Sequence, residues 1–379
     1  MSLEWIEGVP ADWHISKAQF VLDYQKRDVQ EDDEIVTAFR DGQVTLRRNR
    51  RTDGFTMAEK EIGYQHICEG DLVVHSMDGG FGAIGVSDSC GKASPVVHAY
   101  TSSLCDLRFV AYQLRAAVKA GWIAALAKGI RVRSTQFDRP ALASLNIAYP
   151  TVETQQRIAD YLDRETAEID AAVADLDKYV ELLNVKLESA SREVFTELSA
   201  NHPLIQTKFL VDITTGSGDT QDSQENGSFP FYVRSDTIQR AEDFEFDCDA
   251  VLTSGDGAGV GKIFHLAGGK FKAHQRVYVM HNFKRVSPQY FYWMFKSAFP
   301  DAIRYGGAKS TVDSVRRPMI ANLKIPVPDN DVQEKASKRI EKLHHEVSAL
   351  IAKSTKLRDL LLKRRSVLIT EVVTGRKQV

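Results

Sequence analysis

The stretch RPALASLNIAYP, residues 139–150, returns 178 positions later as RPMIANLKIPVP, residues 317–328. The same offset aligns GDLVVHSMDGG (70–80) with CDAVLTSGDGA (248–258). It matches Asp71 with Asp249, Ser76 with Ser254, Asp78 with Asp256 and Gly79 with Gly257. Downstream it pairs Gln155 with Gln333, Arg157 with Lys335 and Glu193 with Glu371. A single offset held over so long a span marks a duplicated unit rather than chance. The starts ISKAQFVLD (15–23) and IQTKFLVD (205–212) also correspond, at a different spacing. The first copy therefore carries the longer loop, around residues 31–60.

Each copy opens with short β-branched and aromatic runs, such as LVV, KIFHLA and RVYVM, set between Gly, Asp and Ser clusters. These read as strands joined by turns. A helical stretch follows, over 109–119 in the first copy and 288–297 in the second. Each copy then ends in a long helix. Ile158, Leu162, Ile169, Val173, Leu176, Val180, Leu183, Leu187, Ala190 and Val194 recur mostly at steps of three and four. Ala336, Ile340, Leu343, Val347, Leu350, Leu357, Leu361, Leu368 and Val372 do the same, a coiled-coil seam kept for several heptads. Pro150 and Pro328 precede the helices, where proline does no harm. Thr151, and Asp329 or Asn330, fit as N-caps, and Gly375 as the left-handed C-terminal cap.

Charge sharpens the reading. Residues 152–199 hold twelve acids and five Lys/Arg, and residues 330–377 hold six acids and twelve Lys/Arg. An acidic and a basic helix of matched length, each about 65 Å long at 1.5 Å per residue, are made to pair. So long an amphipathic stripe needs burial against a partner; the alternative is that each helix packs on its own globular unit. The expected fold is two copies of an α/β (α+β) globular unit, over 1–150 and 201–328. Two long helices, over 151–200 and 329–379, pair as an antiparallel coiled coil.

Signals for other classes fail one by one. The chain has 379 residues and a net charge of −2, so any positive charge must act locally. Its four cysteines (Cys68, Cys90, Cys105 and Cys248) form no CxxC pair, and no histidine lies near them at metal-ligand spacing. They read as reduced, mostly buried thiols in a cytosolic protein. The first residues carry acids where a signal peptide has bases, and no apolar run approaches the ~20 residues of a membrane span. The run GDGAGVGKI (255–263) resembles a phosphate loop but lacks the GxxxxGK[ST] spacing, and reads as a glycine-rich turn. No two prolines are adjacent, so the Asn/Asp-Pro-Pro-aromatic motif of amino-methyltransferases is absent, as are GxSxG and HExxH. His274 and His281 lack a carboxylate or cysteine cluster and read as structural or phosphate-facing.

The positive charge is concentrated. Residues 257–300 hold seven Lys/Arg and no acid, whereas 212–256 hold eleven acids and two arginines. Lys262, Lys270, Lys272 and Arg276 belong to the basic part, interleaved with aromatics, and Lys309, Ser310, Arg316 and Arg317 follow. The first copy has Arg131, Arg133 and Arg139, and a cluster of Arg47, Arg48, Arg50 and Arg51 in its long loop. These are the candidate DNA-binding residues. Most would neutralise phosphates, while a few arginines would read guanine edges. The competing reading is a set of solvated surface charges.

This organisation resembles the specificity subunit of type I restriction-modification enzymes. The family's helices begin like IPLPPLxEQxxIA, and here stand NIAYPTVETQQRIADYLD (146–163) and KIPVPDNDVQEKASKRI (324–340). The family's second helix ends like LITxxVTGK, and here LITEVVTGRKQV (368–379) closes the sequence. EWIEGVPADW (4–13) is similar to the WxGxxPxxW leader. Thr154 and Val332 depart from the glutamate that the family favours, and Tyr149-Pro150 replaces its Pro-Pro step. The resemblance implies two target-recognition domains, each reading half of a bipartite site in double-stranded DNA, with the helix pair setting the gap. It implies two methyltransferase subunits on the helices and restriction/translocase subunits beyond them. Those partners would bind S-adenosylmethionine, ATP and Mg, leaving this chain without cofactor, metal or catalytic residue. It also implies a place in the prokaryotic cytoplasm, away from membranes. Three alternatives stand beside it: a specificity subunit of a related phage-defence methylation system, a coiled-coil scaffold that binds no DNA, and a nuclease or methyltransferase with an unrecognised site.

Overall fold

Leu72, Val73 and Val74 are all fully buried. Successive residues of a strand point to opposite faces, so such a run requires a sheet covered on both sides. The computed structural model describes residues 6, 8–50, 61–123, 137–306 and 314–379. It divides into two compact units: Met1–Asp175 with Leu357–Val379, and Leu176–Lys356.

The first unit contains β1 (His14–Lys17), β2 (Asp23–Gln25), β3 (Val36–Ala38), β4 (Val44–Leu46), β5 (Gln65–Ile67), β6 (Leu72–His75), β7 (Ile84–Val86), β8 (Gly91–Ala93), β9 (Val97–Thr101) and β10 (Asn146–Tyr149), with helices α1 (Leu107–Lys119) and α2 (Arg139–Ser144). Its central sheet is antiparallel, in the order β2-β9-β6-β7. Leu72 and Val74 face a core shared with Phe109, Val110 and Leu114 of α1. Val73 faces the other way, toward Val36, Val44 and Ala99.

The second unit repeats the plan. It contains β11 (Leu204–Gln206), β12 (Asp212–Thr215), β13 (Phe229–Tyr232), β14 (Gln239–Ala241), β15 (Phe246–Asp247), β16 (Ala250–Ser254), β17 (Phe264–Ala267), β18 (Lys270–Ala273), β19 (Val277–His281) and β20 (Lys324–Pro326). Its central sheet has the order β12-β19-β16-β17, strand for strand the order of the first. Val251 packs with the core that holds Tyr290, Phe291 and Phe295, while Ala250 and Leu252 join Tyr232, Phe271 and Val279 on the other face. Each unit also ties its start to its end: β1 pairs with β10 and β11 with β20, both antiparallel. Next to them Ala18 N–H donates to the Leu145 carbonyl and Thr207 N–H to the Leu323 carbonyl, each at 2.8 Å.

The units differ at their second faces. In the first, part of the expected long loop is a hairpin, β3–β4. In the second, a four-stranded sheet, β14-β13-β18-β15, takes that place.

The long helices are α3 (Val152–Asn201) and α6 (Asn330–Val373); α4 (Pro288–Gly306) and α5 (Arg317–Ala321) precede the second. Asp329 accepts from Val332 N–H and Gln333 N–H through its carbonyl, so Asp329, not Asn330, stands at the cap position. Gly375 has φ +71 and donates to the Val372 carbonyl; a side chain there would strike Pro10. In the first unit Ile158, Leu162, Leu368 and Val372 are buried in one core. In the second Val194, Leu198, Ala336 and Ile340 are buried in another. The helix segments run antiparallel within each unit. Arg365 meets Asp170 at 2.9 Å in the first, and Arg339 meets Glu197 at 3.2 Å in the second.

The seam of α6 departs from the reading at two places. Leu350 and Leu357 are exposed, at 41% and 49%. After Val347 the inward line passes through half-buried Ile351 and buried Ser354 to half-buried Leu361 and buried Leu368 instead. That path keeps the heptad step, which places the two leucines on a neighbouring face.

A buried glutamine locks each long helix to its unit. Gln155 accepts from Asp106 N–H (2.9 Å) and donates to the carbonyls of Pro150 (2.9 Å) and Leu104 (3.3 Å). Gln333 accepts from Ser287 N–H (3.0 Å) and donates to the carbonyls of Pro328 and Arg285, both at 2.9 Å. Asp106 caps α1 and Ser287 precedes α4, so one amide joins two helix starts in each unit. Truncation leaves buried backbone groups unpaired, at roughly 1–3 kcal/mol each. Gln155→Ala and Gln333→Ala are each expected to destabilise the protein by about 2–4 kcal/mol, read as a lower midpoint in urea unfolding.

Candidate nucleic-acid interface

Asp78 and Asp256 follow the ends of β6 and β16 at matching positions of the repeat, and each holds arginine. In the second unit Asp256 is bound by Arg234 at 2.8 Å and by Arg276. Its backbone bridges to Ser314, beside a bond from Val315 N–H to the Gly255 carbonyl at 2.8 Å. Tyr278 Oη donates to the Val315 carbonyl, so the segment leading into α5 is pinned against the turn. His274, itself buried, accepts from Arg276 N–H through Nδ1 at 3.0 Å. Burial alone would raise the Asp256 carboxyl, but hydrogen bonds from Arg276 and Arg234 overcome it and hold the group below its ordinary range. One carboxylate thus orients two guanidinium groups whose side chains stay 41% and 59% exposed. A guanidinium has five N–H donors, so donors remain for a second acceptor. The glycine-rich run proves to be a tight turn, Gly257–Gly259, between β16 and β17.

In the first unit Asp78 is bound by Arg40 at 2.8 Å, and that guanidinium lies over the Phe81 ring, 4.9 Å from its centroid. Asp78 N–H donates to His75 Nδ1, and Phe137 N–H to the Ser76 carbonyl. Arg139 stacks on Tyr24 with 3.5 Å from guanidinium carbon to ring centroid, on the wall of a cleft that Tyr100 and Leu142 also line. His98 is pushed down by burial, and further by Arg139.

The structure sorts the residues expected from sequence. Arg276 binds Asp256, and exposed Arg316 and Arg317 directly follow the segment pinned to the Asp256 turn, with Arg139 at the position matching Arg317 in the first unit. Lys262 is exposed just past the Gly257–Gly259 turn. Among the described residues, Lys262, Arg316 and Arg317 have no ion-pair partner. Lys270 is exposed over the Phe244 ring at 4.5 Å. Lys272 corrects the expectation: it is buried, and its ammonium is taken up by Asp243 (2.8 Å) and Asp222 (3.1 Å). The arginine cluster is also less free than its sequence suggests. Arg48 pairs with Glu34, Arg50 pairs with Asp41 and lies on Phe39, and Arg47 is half-buried and bonded to Thr37. Arg51, Arg131, Arg133, Lys309 and Ser310 lie outside the described residues.

Arg40 and Arg234 were not among the expected residues. Both lie outside the aligned repeat segments. The signal for them was the repeated aspartate itself, a half-buried carboxylate in need of a cation. The cysteine expectation also changes: Cys105 is buried, Cys68 and Cys248 are half-buried, and Cys90 is exposed. Among the described residues no group of three or more His, Cys, Asp or Glu is placed to hold a metal ion, and no helix is long and apolar enough to cross a membrane.

Comparison with known proteins bears on this arrangement. Residues 208–357 match the family model of the type I restriction modification DNA specificity domain. That match places a segment similar to a type I restriction modification DNA specificity domain in the second repeat of the chain. The chain is 24% identical over 166 residues to the type I restriction enzyme EcoDI specificity subunit of Escherichia coli, an alignment spanning 44% of this chain and 36% of that protein. Its fold matches a chain from a structure concerned with complex assembly and conformational transition of the type I R-M system, with TM-score 0.76, 14% identity, and 96% and 98% of the two chains covered. It also matches the HsdS subunit from Thermoanaerobacter tengcongensis, with TM-score 0.55, 12% identity, and 97% and 98% covered. The architecture expected for the family, two sheet-rich domains with long helices, is the one observed.

The arginine–aspartate clamp has a pH signature. A carboxylate depressed on folding contributes stability that is full above its unfolded value, near 4, and lost as pH falls through the folded value. Asp256→Asn is therefore expected to lower stability at neutral pH, where the ionised carboxylate contributes, and to make little difference below about pH 4, so that the acid-range decline becomes shallower. Urea unfolding midpoints across the acid range test this.

Proposed function

We propose that this chain is the DNA-reading, non-catalytic subunit of a type I restriction-modification complex. Each unit would read one half of a bipartite target. The observation that carries the reading is the duplicated clamp: the same aspartate, at the same place in two copies of one sheet, presents exposed arginine, and each copy carries a further exposed arginine, Arg139 or Arg317, at the start of its short helix. Guanidinium groups bind phosphates and read guanine edges in two-pronged fashion, and positions fixed by a carboxylate favour selectivity over mere attraction. The long helices would set the gap between half-sites and seat two methyltransferase subunits, with restriction/translocase subunits beyond. Exposed apolar residues support docking on the helices: Tyr179, Leu182 and Val185 on α3, and Leu357, Leu360 and Val367 on α6. S-adenosylmethionine, ATP and Mg would be bound by those partners.

Co-expression with a partner methyltransferase, followed by mapping of methylated adenines, tests the proposal. A two-part motif with a fixed unread gap is expected; methylation of one continuous short site would overturn it. Loss of one base contact costs roughly 1–3 kcal/mol. Arg316→Ala or Arg317→Ala is accordingly expected to weaken binding to one half-site by about ten- to a hundredfold, and Arg139→Ala to weaken the other. Gel-shift titrations with one half-site scrambled at a time distinguish them. Inserting a helical turn near Glu188 is expected to change the preferred gap and leave both half-sites as they were, measured by the same methylation map.

A further inference from the structure

The β5–β8 ladder pairs Gln65 with Ala93, His66 with Lys92 and Ile67 with Gly91, antiparallel. Continued by one position, it sets Cys68 opposite Cys90. Residues directly opposite in an antiparallel pair have Cα atoms about 4.5–5.5 Å apart, inside the roughly 4.4–6.8 Å that a disulfide spans. A hydrogen bond confirms that the two residues meet: Glu69 N–H, one peptide bond beyond Cys68, donates to Cys90 Sγ at 3.3 Å. Both thiols are free, Cys90 exposed and Cys68 half-buried. The Arg27 guanidinium faces Cys68 and is itself held on the buried Asp71 at 3.1 Å, while Asp71 accepts from Cys68 N–H at 2.8 Å. The turn that carries Cys68 is therefore fixed in place.

We infer that Cys68 and Cys90 form a reversible dithiol–disulfide site in the first unit. The co-reactant is a small-molecule disulfide. The exposed Cys90 attacks first, as thiolate, on one sulfur of that disulfide; a mixed disulfide forms and one small thiol leaves. Cys68, as thiolate, then attacks the Cys90 sulfur, the intramolecular bond forms and the second small thiol leaves. Two protein thiols become one disulfide, and one small disulfide becomes two small thiols. Burial pushes the Cys68 thiol up, against the pull of Arg27, so closure quickens as pH rises above neutrality.

The second unit provides an internal contrast. Its corresponding ladder pairs Phe246 with Phe271 and Asp247 with Lys270, and Cys248 just beyond it bonds through its N–H to the Gly269 carbonyl. No second thiol stands there. The site therefore belongs to one repeat only, and its bond closes the segment that contains β6, the Asp78 turn and β7.

The full-length protein is treated with oxidised glutathione, its thiols are counted, and its tryptic peptides are mapped by mass. The expected result is loss of two of the four thiols, a peptide cross-linked through Cys68 and Cys90, and an unfolding midpoint raised by about 5 °C or more that falls back with dithiothreitol. In Cys68→Ser, glutathione is expected to stay on Cys90 as a mixed disulfide, because nothing displaces it. In Cys90→Ser, the midpoint is expected not to respond to oxidant. Stable glutathionylation of Cys90 in the unsubstituted protein, or dimers linked through Cys90, with no cross-linked peptide, would overturn the inference.

Discussion

A glutamine side chain can satisfy one N–H and two carbonyls at once, and in each unit one buried glutamine does so at the second turn of a long helix. Those backbone groups come from the helix entry, from the preceding segment and from the start of the helix that lies under the sheet. Without the amide, three chain ends with unpaired polar groups would meet in an apolar interior. With it, the direction in which the long helix leaves the globular unit is fixed by hydrogen bonds whose geometry is narrow. The apolar contacts of Ile158 and Leu162, or of Ala336 and Ile340, then fall in register with the core.

Much of this was legible in the sequence. The offset that relates RPALASLNIAYP to RPMIANLKIPVP also relates Gln155 to Gln333 and Asp78 to Asp256, and both relations carry structural meaning. Helical periodicity placed the first long helix and the start of the second to within a residue, because a seam buried along one side leaves a dense repeating signal, while the second helix ends at Val373 rather than running on to 379. The run LVV read as a strand, and the burial of Leu72, Val73 and Val74 adds that both of its faces are covered. What lay beyond reach depends on the direction of side chains. Leu350 and Leu357 fit the period as well as Ile351 and Ser354 do, and apolar character alone cannot choose between adjacent faces.

The charged residues were harder for a related reason. Lys272 and Lys270 stand two apart in one strand and so point to the same side, yet one is buried between two aspartates and the other lies open over a phenylalanine. Sequence gives a count of charges but not which acids fold back onto them; here Asp222 and Asp243 come from distant loops. Arg40 and Arg234 were missed because they lie where the two copies diverge, in a hairpin in one unit and beside an added sheet in the other. A repeat reveals what the copies share, and these arginines reach a shared aspartate from unshared elements.

The clamp of Arg234 and Arg276 on Asp256 bears on the entropy of any encounter. A free arginine side chain carries roughly 1.5–2 kcal/mol of rotamer freedom, most of which must vanish when it grips a ligand. Here much of that freedom is already surrendered during folding, to a carboxylate that leaves other N–H edges outward. The later encounter then needs little further ordering at these positions. A mis-shaped ligand gains little from them, because the guanidinium groups cannot swing out to follow it. Rigidity set by an internal acid would thus turn a general attraction for negative charge into a test of shape.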